Sequence, residues 1–139
     1  MALKMDAAEI SSFLYEAFPQ VSGDFEIRDL QENYIEVVLV VAERHLRPGG
    51  TVSGPSMFGL ADVAAYFNVL SMIGPKALAV TTNCSIDFMR KPISGDNLIA
   101  KSKVLKLGSG LAVTECLIFS ECDERPVARA NLTYSLPRK

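Results

Sequence analysis

One charged residue interrupts a long apolar segment of the sequence. Residues 56–73 are apolar, small or uncharged apart from Asp62. A carboxylate among apolar side chains loses hydration, so such a residue has either a hydrogen-bonding partner or a chemical purpose. Asp62 is therefore interpreted in two ways: as a group that activates water or attacks a carbonyl, or as a buried carboxylate bonded to a loop backbone.

The start of the same segment offers groups that could stabilise negative charge. Gly54-Pro55 precedes it and Gly74-Pro75 follows it, which is the pattern expected at the two ends of a helix. The first turn of a helix has free backbone N–H groups and the positive end of the helix dipole. Gly54 is thus either a contact for a developing oxyanion or simply the start of the helix.

Gly54 and Asp62 are too far apart on one helix to act on the same carbonyl. Eight residues at a rise of about 1.5 Å each separate them by about 12 Å, which an aspartate side chain does not bridge. Two chains with antiparallel helices would bring Asp62 of one to Gly54 of the other. The spacing predicts an obligate two-fold homodimer with two shared sites, which could pair again into a dimer of dimers.

The rest of the sequence predicts the elements that hold this central helix. Asp6 and Glu9 form a capping-box pattern ahead of an amphipathic helix that stops before Pro19. Strand-like segments follow at 24–30 and 33–42 and, after the central helix, at 77–89, 97–107, 111–121 and 126–136. The order α-β-β-α-β-β-β-β predicts an α+β fold in which one curved antiparallel sheet wraps the central helix, with residues 1–139 as one domain.

Composition and charge narrow the class of protein. The chain is 49% hydrophobic with a net charge of −2 and has no dense Lys/Arg cluster, so a folded domain that binds no nucleic acid is expected. Polar residues within the central helix favour burial in protein over a membrane span.

The N-terminal residues lack the pattern of a secretory signal, which predicts a cytoplasmic protein. The spacing of Cys84, Cys116 and Cys122 predicts no metal site and no disulfide.

Residues 45–70, HLRPGGTVSGPSMFGLADVAAYFNVL, resemble the hotdog-fold thioesterases, in particular the PaaI-like (phenylacetate-pathway type) acyl-CoA thioesterases. The likeness lies in a glycine-rich loop that leads into a helix carrying Leu60-Ala61-Asp62, and it extends to residues 88–92, FMRKP. It implies a hotdog fold and hydrolysis of an acyl-CoA. Asp62 would be general base or nucleophile, the Gly54 N–H would polarise the carbonyl, and Thr81 would help hold the attacking water. Coenzyme A enters only as part of the substrate, with no separate cofactor.

Further residues are predicted to contact the substrate. Met57, Phe58 and Tyr66 on the central helix either line an acyl pocket or belong to the core. The coenzyme A phosphates would lie near Arg90, Lys91 or the turn at 106–110 that contains Ser109, because these are the nearby cationic and glycine-rich segments. Arg90-Lys91 is equally interpretable as a solvated strand end. The length or aromatic character of the acyl group does not follow from the sequence.

Two other functions use the same residues. A hotdog dehydratase or hydratase acting on hydroxyacyl thioesters would pair His45, the only histidine, with Asp62. A non-enzymatic sensor that binds acyl-CoA is suggested by the turn Ser53-Gly54-Pro55, where the family usually has His-Gly-Gly.

Overall fold

The computed structural model describes residues 2–20, 23–75 and 79–137. The elements run in chain order as α1 (Ala7–Ala17), β1 (Phe25–Gln31), β2 (Tyr34–Leu39), a short 3-10 helix (Glu43–His45), α2 (Gly54–Ile73), β3 (Val80–Phe88), β4 (Leu98–Leu107), β5 (Leu111–Ser120) and β6 (Ala128–Ser135). The predicted α+β class and order of elements are confirmed.

One six-stranded sheet, antiparallel throughout, forms the body of the protein in the order β1-β2-β4-β5-β6-β3. The helix α2 packs against β2, β4, β5, β6 and β3. A sheet wrapped around a central apolar helix is the hotdog arrangement that the sequence predicted. Within the described residues β3 is an edge strand that pairs only with β6.

The central helix begins two residues earlier than predicted. Ser53 is its N-cap, and the Ser53 side chain accepts a 3.3 Å hydrogen bond from the N–H of Ser56, so Gly54 is the first helical residue. Gly74 ends the helix with φ of +94°, a conformation that favours glycine. Among the described residues α2 is the helix long and apolar enough to cross a membrane by length and composition, and 61% of that apolar window is buried in the protein.

The N-terminal helix α1 packs against β1 and α2. The Asp6 and Glu9 side chains form the predicted capping box, and Ile10 and Leu14 are buried. The N–H of Lys4 donates a 2.7 Å hydrogen bond to the carbonyl of Ser71 near the end of α2. These contacts hold α1 against the central helix.

Two strand boundaries differ from the predicted ones. The strand predicted at 33–42 ends at Leu39, because the N–H of Val40 turns to the carbonyl of Asp24 and that of Val41 to Oδ1 of Asn97. The strand predicted at 77–89 begins at Val80, and residues 77 and 78 lie outside the described part of the chain.

Candidate active site

The Asp62 carboxylate accepts two hydroxyl hydrogen bonds on the same oxygen. Thr81 Oγ1 of β3 donates to Asp62 Oδ1 at 2.7 Å, and the Tyr134 hydroxyl of β6 makes a short contact with the same Oδ1. The Tyr134 hydroxyl also lies 2.7 Å from the backbone carbonyl oxygen of Asp62. The structure therefore brings Asp62 and Thr81 together, and it adds Tyr134, which the sequence did not single out.

Thr81 has a different main contact from the one expected. Its role was predicted as holding the attacking water, but its single hydroxyl hydrogen is directed at Asp62. A hydroxyl has one hydrogen to donate and two lone pairs to accept with. Thr81 can therefore meet a water only as an acceptor while it supports the carboxylate as a donor.

A cavity of about 350 Å³ lies beside the Asp62 carboxylate. Its walls are mostly apolar and come from α1, α2, β3 and β6. The lining residues are Phe13, Leu14, Ala17, Phe18, Asp62, Val63, Tyr66, Ala79, Val80, Thr81 and Tyr134. Tyr66 is in this wall, and its ring stacks on Tyr134 with centroids 6.2 Å apart. We call this space the Asp62 cavity.

A second cavity, of about 430 Å³, surrounds Gly54 at the N-terminus of α2, and its rim is cationic. Its lining residues are Arg47, Thr51, Val52, Gly54, Met57, Phe88, Met89, Arg90, Lys91 and Pro92. As the first residue of the helix, Gly54 has no acceptor for its N–H within the helix, and no other described residue accepts it. We call this space the Gly54 cavity.

Glycine at position 54 has a packing reason as well as a chemical one. A Cβ atom there would lie 3.3 Å from Cζ of Phe88. Glycine thus lets the end of β3 approach the start of the helix closely.

No residue is shared between the linings of the two cavities. Gly54 and Asp62 each face a separate cavity of the same chain, in keeping with their separation along the helix of about 12 Å. A single chain therefore does not assemble the carboxylate and the free N–H around one ligand.

Similarity to known proteins shows which family this chain belongs to. A family model described as the Thioesterase superfamily matches residues 49–127, a stretch that contains Gly54, Asp62 and Thr81. The chain belongs to the Thioesterase superfamily. A putative esterase of Pseudomonas aeruginosa is 31% identical over 115 residues, which span 83% of this chain and 84% of that protein. A putative esterase of Archaeoglobus fulgidus is 34% identical over 89 residues, or 64% of this chain, and the match spans only 56% of that protein.

Solved structures of thioesterases share the fold. The crystal structure of a putative thioesterase from Silicibacter sp. TM1040 has a TM-score of 0.93 and 56% identity, covering 99% of this chain and 96% of that one. PaaI of the E. coli phenylacetic acid degradation operon has a TM-score of 0.80 at 24% identity, covering 95% and 94%. A hypothetical thioesterase of Streptococcus pneumoniae, solved with coenzyme A, has a TM-score of 0.76 at 21% identity, covering 96% and 98%. The predicted resemblance to PaaI-like hotdog thioesterases is confirmed.

The other residues predicted for this thioesterase fold divide between the two cavities and the surface. Met57, Arg90 and Lys91 line the Gly54 cavity, so Met57 does not belong to the pocket beside Asp62. Phe58 is exposed and lines neither cavity of a single chain, so its predicted place in an acyl pocket stays a prediction.

Ser109 lies at the opposite end of the sheet from Arg90 and Lys91. The turn that contains it precedes Leu111, which pairs with Ser135, and Ser135 pairs in turn with Val80 at the start of β3. Arg90 and Lys91 follow the other end of β3. The predicted contacts for coenzyme A therefore do not converge within one chain.

His45 is held by structural contacts at both ring nitrogens. Its Nδ1 accepts a 2.8 Å hydrogen bond from the N–H of Ala42, and its Nε2 lies 3.4 Å from Oδ2 of Asp24. The side chain is buried and lines neither cavity. This geometry gives no support to a pairing of His45 with Asp62 in one chain.

Burial keeps the phenols around Asp62 in their neutral form. Desolvation raises the pKa of Tyr134 well above its ordinary value, and the charge of Asp62 and its hydrogen bond with Tyr134 raise it further. Desolvation also raises the pKa of Tyr66. The pKa of the Cys84 thiol is raised by burial and then by the Asp62 charge. Tyr134 therefore remains a hydrogen-bond donor at neutral pH.

The described residues contain no group of three or more His, Cys, Asp or Glu side chains that could hold a metal ion.

Proposed function

We propose that the protein hydrolyses the thioester of an acyl-CoA whose acyl group is apolar, either aliphatic or aromatic. The observation that carries the proposal is the Asp62 carboxylate, which two hydroxyls hold in the wall of a mostly apolar cavity. An apolar cavity with a few oriented polar groups is typical of a small-molecule site. Membership in the Thioesterase superfamily supports thioester hydrolysis as the chemistry.

Asp62 supplies the base or the nucleophile. As a base, it takes a proton from water, the water oxygen bonds to the acyl carbon, and the carbonyl becomes an oxyanion. The carbon–sulfur bond then breaks, and the coenzyme A thiolate leaves with the proton from Asp62. As a nucleophile, an Asp62 oxygen bonds to the acyl carbon with loss of the thiolate, and water then hydrolyses the mixed anhydride.

Gly54 supplies the donor for the oxyanion. Its N–H is free among the described residues and stands at the positive end of the dipole of α2. A backbone donor fixed in place costs no reorganisation when the negative charge develops. The adjacent Pro55 has no N–H, so the Gly54 N–H has no neighbouring competitor at position 55.

A two-fold dimer would join the two halves of the site. The edge strand β3 carries Thr81, bonded to Asp62, near one end and Phe88, against Gly54, at the other. Antiparallel pairing of two β3 edges would set the Thr81 end of one subunit beside the Phe88 end of its partner. Asp62 of one subunit would then face Gly54 of the other across the interface.

Exposed apolar side chains along this surface support the dimer. Phe58 on α2 and the β3 residues Val80 and Phe88 are all exposed in the single chain, as is Met89 just beyond the strand. An unpaired strand edge is a ready template for pairing with another chain, and clustered exposed apolar groups mark interaction surfaces. Phe58, which no cavity of its own chain uses, would be covered at such an interface.

Coenzyme A would lie at the Gly54 cavity with its phosphates near Arg47, Arg90 and Lys91. These three cations line one cavity, and cationic side chains are suited to phosphate groups. The acyl group would then enter the Asp62 cavity of the partner subunit. The same two-fold axis would bring the partner's turn with Ser109 towards Arg90 and Lys91. The Streptococcus pneumoniae neighbour solved with coenzyme A supports this class of ligand.

A panel of aliphatic and aromatic acyl-CoAs tests the proposal. Wild type should release coenzyme A, and Asp62→Asn should lower kcat by at least about a hundredfold, the range expected for a positioned acid–base group. Asp29→Asn, on the edge strand β1, is the matched control and should keep full activity. Unchanged hydrolysis in Asp62→Asn would overturn the proposed mechanism.

Two further outcomes of the same panel point to the other functions. Tight binding of acyl-CoA without turnover in wild type would identify a sensor, and hydration of an enoyl-CoA that depends on His45 would identify a hydratase. Either result would overturn hydrolysis as the function.

Single turnover in oxygen-18 water separates the two hydrolytic routes, because label enters Asp62 only if its carboxylate is the nucleophile.

A further inference from the structure

The hydroxyl of Tyr134 contacts Asp62 at two atoms, and neither the family motif nor the proposed roles of Gly54, Asp62 and Thr81 account for it. We propose that Tyr134 is a positioning residue that, with Thr81, saturates Oδ1 of Asp62 and leaves Oδ2 as the atom that reacts. This inference rests on the proposed function, because it concerns how the carboxylate is oriented for hydrolysis.

The sheet register sets the two hydroxyls side by side. Thr81 of β3 and Tyr134 of β6 are direct cross-strand partners in the antiparallel pair. Side chains of directly opposed residues share one face of the sheet with short separations. Both therefore point towards α2, where Asp62 Oδ1 receives the Thr81 hydroxyl at 2.7 Å and the Tyr134 hydroxyl at a shorter distance.

Two donors on one oxygen make the two carboxylate oxygens inequivalent. A carboxylate oxygen has about two lone-pair sites, and Thr81 and Tyr134 supply a donor for each site on Oδ1. No described residue donates a hydrogen bond to Oδ2, and Asp62 lines the cavity. Oδ2 is therefore the oxygen left for a water or an acyl carbon.

The tyrosine is also fixed more firmly than a surface residue would be. Its side chain is 2% exposed, its ring stacks on Tyr66, and its hydroxyl lies within 2.7 Å of the Asp62 carbonyl oxygen. The single hydroxyl hydrogen can turn to that carbonyl when the carboxylate gains a proton. Tyr134 thus has an acceptor within reach in both protonation states of Asp62.

Loss of the Tyr134 hydroxyl would leave one lone-pair site on Oδ1 without its donor. The carboxylate could then turn about its Cβ–Cγ bond, so Oδ2 would no longer be held as the atom that faces the cavity. The walls of the Asp62 cavity would stay the same, so the loss should affect the reaction step more than substrate binding.

The test is Tyr134→Phe, which keeps the ring and its stacking. A hydrogen bond to a charged group contributes about 1.5–3 kcal/mol, so kcat should fall by about tenfold to a hundredfold, with KM changed less than about twofold. The matched control is Tyr34→Phe, since Tyr34 donates to the carboxylate of Glu36 and neither residue lines either cavity. An unchanged kcat in Tyr134→Phe would overturn the proposal.

A second substitution covers the case in which Tyr134→Phe does not fold. Site-specific 4-fluorophenylalanine at position 134 fills the space of the hydroxyl with an atom that has no hydrogen to donate, so kcat should again fall by about tenfold to a hundredfold with little change in KM. A kcat equal to that of wild type contradicts the proposal. Failure of the proposed function looks different, because wild type would then show no turnover or Asp62→Asn would stay active. If only the positioning role fails, wild type is active, Asp62→Asn is inactive and the 134 variants match wild type.

Discussion

Thr81 Oγ1 lies 2.7 Å from Oδ1 of Asp62, so an edge strand and the central helix are joined at the candidate catalytic carboxylate. The contact orients the carboxylate within the Asp62 cavity and uses the single hydroxyl hydrogen of Thr81. Thr81 is therefore a supporting donor, and any role with water is limited to its lone pairs.

Thr81→Val removes this donor with little change of shape. The loss of a hydrogen bond to a charged group should lower kcat by about tenfold to a hundredfold, with little effect on KM. Thr82→Val is the matched control, because Thr82 donates only to the carbonyl of Thr133 at 3.3 Å. Steady-state kinetics measure both variants. Equal kcat values for the two would show that the Thr81 contact has no part in turnover.

The cations of the Gly54 cavity should contribute to binding of coenzyme A rather than to chemistry. In the double variant Arg47→Ala/Lys91→Ala, KM for an acyl-CoA should rise by about tenfold while kcat stays near wild type, since each lost phosphate contact weakens binding alone. With an acyl-N-acetylcysteamine thioester, which has no phosphates, KM should not change. Lys103→Ala on β4 is the control. A similar rise in KM for both substrates would place the phosphates elsewhere.

The helix α1 should influence the choice of acyl group. Phe18, the C-cap residue of this helix, lines the Asp62 cavity, whereas Tyr15 within the helix is 69% exposed and does not. Phe18→Ala enlarges the cavity, so the ratio of kcat/KM for a long acyl-CoA to that for a short one should rise by about tenfold, the effect of one or two methylenes in an apolar pocket. Tyr15→Ala should leave the ratio unchanged. The ratio is measured over a series of chain lengths, and no change in Phe18→Ala would remove α1 from the acyl site.

His45 should matter for stability and not for hydrolysis. His45→Ala loses the hydrogen bond from Ala42 and the contact with Asp24, so the free energy of unfolding should fall by about 1–3 kcal/mol. Denaturant unfolding measures this loss. The kcat of the folded variant should remain within about twofold of wild type because His45 lines neither cavity. A loss of activity without a loss of stability would instead support a catalytic histidine.

Part of the site was predictable from the sequence because it depends only on the positions of residues within one helix. Asp62 is recognisable as a charge in an apolar helix, and its distance from Gly54 follows from the helical rise alone. The family resemblance added Thr81. These inferences need no knowledge of how the strands are arranged.

The remaining features depend on sheet order, which the sequence pattern did not determine. Tyr134 is one aromatic residue in a strand, and it meets Asp62 only because β6 pairs with β3 in the register that opposes it to Thr81. Arg90 and Ser109 were both predicted to lie near the coenzyme A phosphates. The pairing of β5 with β6, and of β6 with β3, instead places the Ser109 turn at the opposite end of β3 from Arg90. The helical period of α1 showed that one face is buried, but not that Phe13 and Phe18 border a cavity.

The most direct test of the shared site is a mixed dimer. Asp62→Asn removes the carboxylate, and Gly54→Pro removes the N–H at the first helical position, where the helix backbone accommodates proline. The added Cβ would also press on the Phe88 ring 3.3 Å away, which disables the same Gly54 half of the site. Each homodimer should be inactive. A mixed dimer, purified through a different tag on each subunit, contains one site with both Asp62 and the Gly54 N–H if they come from opposite subunits. It should recover about half of the wild-type kcat per dimer. A mixed dimer as inactive as its two parents would contradict the shared site.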